Sequence, residues 1–296
     1  MENLISHKKF FIILLMLPWI IGWVFLFLFP LIMSSYYSFT NFNVLNKPKW
    51  IGFENYIFAL TKDPYFWKAT RNTLWVIVVS TPLRVILALM ITFLIYSKKR
   101  FKQFSLVIIT LPIFLPAVAT LLGFKRLFNP VNGLINIILQ KIGFEHPPMW
   151  FVTSDGSRWG FILLSLWGVG DAVLLYVAGV TRLDSNLFKA ARIDDVSELK
   201  QFRHIALPLL SPLILYSTVV GVITSSQNFT SSYVLNSSGD NSSVLYFLSS
   251  HIYVQGYRYF YMGYASTLGW IMTFMLALII GVVLFSKRYW VYEPKK

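Results

Sequence analysis

The sequence predicts an all-α polytopic protein that crosses a lipid bilayer about six times with both termini cytoplasmic, and three observations lead there. Apolar residues fill 56% of the 296 positions and charged residues only 13%, with a mean hydropathy of +0.62, a balance that fits no ordinary water-soluble globule. Six long apolar runs are spaced along the chain. Lys and Arg cluster between alternate runs rather than at random.

The runs cover residues 10–33, 73–96, 104–124, 159–180, 207–223 and 262–285. A helix needs roughly 20 apolar residues to cross a hydrocarbon core, and the fifth run is the shortest of the six. Helices are expected because backbone groups in lipid must bond within their own segment, and no period-two alternation of the barrel kind occurs. The first run follows Lys8 and Lys9 as a secretory signal would. It is too long for a signal core and no small-residue cleavage pattern follows, so it reads as a retained span. The whole chain, 1–296, reads as one transmembrane domain.

Orientation follows from the basic residues. Four short stretches are basic: Lys8 and Lys9; Lys98, Lys99, Arg100 and Lys102; Arg182, Lys189, Arg192, Lys200 and Arg203; and Lys287, Arg288, Lys295 and Lys296. The positive-inside rule puts these in the cytoplasm and the three longer connections outside. The formal charge of +14 then records membrane orientation. No RNA- or DNA-reading module accompanies it, so nucleic acid is not an expected partner. The outer connections are rich in aromatics, Asn and Gly, suited to the headgroup level and to turns. Asn228, Asn236 and Asn241 each head an Asn-x-Ser/Thr triplet, which in a Ser-rich loop reads as chance rather than glycosylation.

The missing motifs are informative. There is no cysteine, which removes disulfides, thiolate zinc sites and iron–sulfur clusters. No Gly-x-x-x-x-Gly-Lys-Ser/Thr loop is present to cradle ATP. His7, His146, His204 and His251 are scattered, with no carboxylate cluster at metal-ligand spacing. No catalytic residue, metal or cofactor is therefore assigned to this chain. Two charges do lie within the spans. Arg84 and Asp171 are each about 12 residues from the outer end of their run, near mid-depth, where they could neutralise each other.

The third basic stretch, in the connection 182–206, carries the most specific pattern. Lys189-Ala190-Ala191-Arg192-Ile193-Asp194-Asp195-Val196 is followed after eight residues by Ile205-Ala206-Leu207-Pro208. A short helix with paired alanines permits close approach to another surface. Asp194 and Asp195 can turn the chain and cap a second helix near Ser197. Pro208 falls in the first turn of the fifth span, where its missing donor costs little. This pattern resembles the coupling loop of binding-protein-dependent ABC importer permeases, in which Glu-Ala-Ala, an Asp-Gly-Ala and a distant Ile-x-Leu-Pro recur at this spacing. Other landmarks extend the likeness over nearly the whole chain and most closely to the carbohydrate-uptake subfamily, with its maltose-type inner-membrane subunits. They are Phe39-Thr40-Asn41, Trp50-Ile51-Gly52-Phe53-Glu54-Asn55-Tyr56, Phe66 to Thr73, Leu111-Pro112, Leu127-Phe128-Asn129-Pro130, Gly133-Leu134-Ile135-Asn136 and Met262-Gly263-Tyr264-Ala265-Ser266. Two positions depart from the family pattern: Lys189 replaces Glu, reversing a charge, and Asp194-Asp195-Val196 replaces Asp-Gly-Ala. Asp tolerates the left-handed conformation better than most residues, so the turn need not be lost.

The resemblance implies a permease that works with a second, homologous permease as a heterodimer, two ATP-binding subunits that hold ATP and Mg, and an extracellular or periplasmic solute-binding protein. It implies a bacterial or archaeal cell membrane as location and a sugar or oligosaccharide as cargo. A glycerol phosphate or polyol stays open as cargo, and a secondary transporter as the rival mechanism. The implied ATPase-docking residues are Lys189, Ala190, Ala191, Asp194, Asp195, Val196, Ile205, Leu207 and Pro208. The implied translocation lining includes Trp167, Gly168 and Asp171 on the fourth span and Gly221, Thr224, Ser225 and Asn228 along the fifth.

Overall fold

The computed structural model describes residues 2–97, 102–235 and 245–292. Lys98, Lys99, Arg100, Lys295, Lys296 and the triplets at Asn236 and Asn241 lie outside the described residues. The described chain is α-helical, with two isolated β-bridges and no strand. Its helices are α1 (Glu2–Trp23), α2 (Phe29–Ser38), α3 (Glu54–Thr61), α4 (Phe66–Ser97), α5 (Lys102–Thr110), α6 (Ala117–Leu127), α7 (Leu134–Lys141), α8 (Ser154–Trp167), α9 (Gly170–Thr181), α10 (Ser185–Ile193), α11 (Glu198–Gln201), α12 (Leu207–Ser226), α13 (Phe229–Leu235), α14 (Leu248–Tyr253) and α15 (Met262–Trp290). Four helical stretches among the described residues are long and apolar enough to cross a membrane: Ile13–Ser38, Phe66–Ser97, Glu198–Ser226 and Met262–Trp290. Two bent pairs raise the number to six if each counts as one span.

Prolines account for the departures from simple rods in the third and fifth spans, while the fourth bends at Gly168-Val169-Gly170. The expected third span, 104–124, is broken: Gln103–Phe114 and Ala117–Leu127 meet at 101°. Pro116 drives Leu115 out of the helical region, to φ −80°, ψ 137°. The fourth bends by 43° between Asp155–Trp167 and Gly170–Thr181. The fifth, expected to begin at Leu207, is instead continuous with α11. A wide, π-type turn over Phe202–Ala206 joins them, in which the Leu207 N–H donates to the Phe202 carbonyl. Pro208 thus lies inside a 29-residue helical stretch rather than at its start. The same device precedes Pro30, where Val24–Leu28 is a π-type turn and the Phe29 N–H donates to Val24. A turn already spaced for i−5 bonding relieves the clash and lost donor that a proline imposes on an α-helix.

The chain forms two compact units: Met1–Asp63 with Ile252–Ile271, and Pro64–His251 with Met272–Lys296. In the first, family landmarks from opposite ends of the sequence meet. The Asn55 amide donates to the Ser38 and Thr40 carbonyls at 3.1 and 2.8 Å, and the Thr267 hydroxyl donates to Ser38 at 2.8 Å. The Gly263 N–H donates to Phe42 at 2.8 Å, and the Tyr264 hydroxyl donates to the buried Asp63 carboxylate.

The second unit is organised on α4, which packs against α12 and α9. One core joins Ala88 and Ile95 of α4 to Val173, Tyr176 and Val177 of α9. Another collects Val76, Leu121, Phe161, Leu235, Leu245 and Phe247. That second core draws in part of the connection 225–261: the Asn72 amide donates to the Tyr246 carbonyl at 3.1 Å, and the Leu248 N–H donates to Thr73 Oγ1 at 2.9 Å. Buried backbone needs such partners, and short hydroxyl and amide side chains of α4 supply them.

Candidate functional site: a polar recess and a docked helix-turn-helix

Two places in the second unit hold the residues singled out by sequence. The first lies where α4, α9 and α12 face one another. α9 begins pressed against α5: a Cβ on Gly170 would sit 2.3 Å from the Ile109 carbonyl oxygen, so only glycine fits. That close approach fixes the first turn of α9 and hence Asp171. The Asp171 carboxylate accepts from its neighbour's Ala172 N–H at 2.7 Å and forms an ion pair with the Arg84 guanidinium. Arg84 Nη1 also reaches Thr224 Oγ1 of α12 at 3.4 Å. Three helices are thereby tied through one guanidinium, and neither charge is left alone where isolated charge is costly.

A recess of about 230 Å³ opens beside this pair, lined among others by Arg84, Asp171, Leu175, Tyr216, Ser217 and Val220. The Tyr176 and Ser217 hydroxyls bond each other across the α9–α12 contact. Gly221 is buried against α4, where an added Cβ would come within 3.0 Å of Thr81 Cγ2. Ser225 meets Ser80 at 3.0 Å, and the Asn228 amide donates to the Ser225 carbonyl at 2.7 Å. Asp171, Thr224, Ser225 and Gly221 are thus gathered around Arg84 and its helix. Trp167 and Gly168 are not. Trp167 stands edge-on to Phe124 at 5.5 Å, and Gly168, in the α8–α9 bend, has open space where a Cβ would go.

The second place is a helix-turn-helix where α4 and α9 end and α12 begins. Asp184 starts α10, its carboxylate accepting from the Asn186 N–H at 2.9 Å. The helix ends in a left-handed residue, Asp195, at φ 54°. The Asp195 N–H donates to Arg192 at 3.1 Å and the Val196 N–H to Ala191 at 2.9 Å, the paired bonds of a Schellman cap. Asp therefore performs the turn that glycine usually performs. The expected capping of the second helix by Asp194 and Asp195 does not occur. Ser197 is its cap residue, without a side-chain bond, and Gln201 Nε2 reaches back to the Val196 carbonyl at 2.6 Å.

Phe188 and Phe202 hold this element down. Both are buried in a cluster with Val180, Ala206 and Leu210, packed by Phe93 and Tyr96 from α4. The ring centroids are 5.6 Å apart for Tyr96 and Phe188 and 5.3 Å for Phe93 and Phe202. Lys189, Ala190, Asp194, Asp195 and Pro208 stay exposed, while Ala191, Val196, Ile205 and Leu207 are half-buried. Sequence reasoning missed the aromatic anchors, since a Phe in such a loop carries no signal of its own. Among the described residues, no group of three or more His, Cys, Asp or Glu is arranged to hold a metal ion.

A family model, described as binding-protein-dependent transport system inner membrane component, matches residues 82–291. The chain belongs to that family. It is 30% identical over 285 residues to the probable ABC transporter permease protein YesP of Bacillus subtilis (strain 168), covering 94% of this chain and 91% of that protein. The arabinooligosaccharides transport system permease protein AraP of the same organism is 27% identical over 95% of this chain and 90% of its own length. The fold matches that of a bacterial alginate ABC transporter, solved with an alginate pentasaccharide-bound periplasmic protein, at a TM-score of 0.80 and 20% identity, covering 95% of each chain. The chain is accordingly an inner-membrane component of a transport system. The matched region takes in Arg84, Asp171 and the helix-turn-helix.

Proposed function

We propose that this chain is one permease subunit of an ATP-driven importer whose cargo is a sugar or oligosaccharide. It would pair with a second, homologous permease, two ATP-binding subunits that hold and hydrolyse Mg-ATP, and a solute-binding protein on the outer face. In this reading both termini and the helix-turn-helix at 185–206 face the cytoplasm, as the basic clusters require.

The observation that carries the reading is the anchoring of that element. Phe188 and Phe202 join it to the ends of α4, α9 and α12, the three helices that meet at the Arg84–Asp171 recess. Packed interiors are stiff, so a displacement applied at the exposed Lys189, Ala190, Asp194 and Asp195 passes to those helices rather than dissipating in a loop. The sugar assignment draws support from AraP, whose name gives arabinooligosaccharides as its cargo. Reconstitution with the partner subunits tests the whole. Replacing 189–196 by a Gly/Ser linker is expected to abolish solute-stimulated ATP hydrolysis, and undiminished hydrolysis would overturn the proposal.

A further inference from the structure

The Arg84–Asp171 pair is not symmetric toward the recess. Asp171 is 49% exposed and Arg84 only 19%. Both terminal nitrogens of the guanidinium are engaged, Nη2 with Asp171 and Nη1 with Thr224, while Nε has no hydrogen-bond partner among the described residues but is buried out of reach of solvent. The other local source of positive potential, the first turn of α9, is met by the same carboxylate through the Ala172 N–H. Arg84 is the one cation among the described residues lining the recess, and it is already neutralised. What an entering solute meets is an acceptor carboxylate beside the exposed Tyr216 ring.

We propose that Asp171 makes this recess selective for uncharged, hydroxyl-bearing solutes and rejects uronates, phosphates and other anions of equal size. The inference rests on the reading of the chain as a sugar-importer permease and narrows its cargo. A sugar hydroxyl donates to a carboxylate and gains a charge-assisted hydrogen bond. An anion brings like charge against Asp171 and finds no unpaired cation to offset it.

The test uses the assembled transporter without its binding protein, trapped with ADP-vanadate. Probes are radiolabelled maltotriose, cellotriose and galactotriose, each matched with its C6-oxidised tri-uronate. Wild type is expected to bind at least one neutral trimer about tenfold tighter than its uronate, since like-charge contact is discriminating. Asp171→Asn should narrow that ratio, and the Arg84→Asp/Asp171→Arg exchange should invert it by presenting the cation instead. Equal or tighter uronate binding by wild type overturns the inference without any variant having to fold, and so does an unchanged ratio in both variants. Binding of none of the six probes is failure of the sugar reading itself, and it removes the charge preference with it.

Discussion

The recess and the helix-turn-helix sit on the same three helices but are held by opposite physics. At the recess, α4, α9 and α12 are joined by directional polar contacts, chiefly Arg84 to Asp171 and Thr224. At the helix-turn-helix they are joined by aromatic packing around Phe188 and Phe202. Charge pairing is specific and costly to interrupt at one partner. Packing is tolerant of chemistry but not of volume. On the proposed function, the first suits a place that recognises a solute and the second a place that transmits a push.

The sharpest break of that comparison is removal of one charge. Asp171→Ala leaves Arg84, mostly buried, without its counter-ion, and stability should fall by about 3–5 kcal/mol. Arg84→Ala leaves a half-exposed carboxylate that water can reach, so its cost should be smaller, about 1 kcal/mol. Thermal unfolding of the purified complex followed by size exclusion reads both. Equal losses would show that the pair is not the asymmetric contact described above.

Phe188→Ala tests the other region. Deleting a buried ring costs about 3 kcal/mol, and here the loss should fall on docking of α10 and α11 rather than on the membrane helices. The expected result is normal membrane yield, faster proteolysis within 189–199 and loss of ATPase stimulation. A variant that keeps full stimulation would separate the anchor from force transfer.

The two regions also differed in how legible they were. Charged residues are so rare in apolar runs that Arg84 and Asp171 announced themselves, and their equal depth suggested that they meet. Tyr176 and Ser217 did not, because single hydroxyls in membrane helices are ordinary. In the loop, local rules for Asp195 and the helix ahead of it were readable, whereas the packing of Phe188 on Tyr96 joins residues far apart in sequence. The break at Pro116 had a visible cause in Pro112 and Pro116, yet a hydropathy window averages over it. The continuity through Phe202–Ala206 was hidden for the reverse reason: proline reads as a helix start, and only the wide turn shows how it lies inside.

A smaller effect is expected at Gly221. A methyl there must push Thr81 Cγ2 back from 3.0 Å, so Gly221→Ala should cost about 1 kcal/mol and Gly221→Val more, through overpacking between α4 and α12. Gly168→Ala supplies the control, since its Cβ meets open space and its φ of −88° suits any residue. Transport impaired as much by Gly168→Ala as by Gly221→Ala would support a place for Gly168 in the solute path.

The smallest effect concerns the turn itself. Asp195 holds φ at 54°, a conformation that costs an L-residue about 1 kcal/mol and glycine almost nothing. Asp195→Gly restores the residue that the coupling-loop pattern usually has and should stabilise the helix-turn-helix by about 0.5–1 kcal/mol. Asp195→Ala should destabilise it by a similar amount, because alanine has neither glycine's freedom nor the polar side chain that lets Asp tolerate this region. Hydrogen exchange of the Asp195 and Val196 amides, the donors of the Schellman cap, reads the difference directly. Slower exchange in the glycine variant with unchanged ATPase stimulation would mean that the carboxylate is only a tolerated turn residue. Slower exchange with weakened stimulation would mean that the Asp195 side chain, exposed on the face that a partner would press, is itself part of the contact.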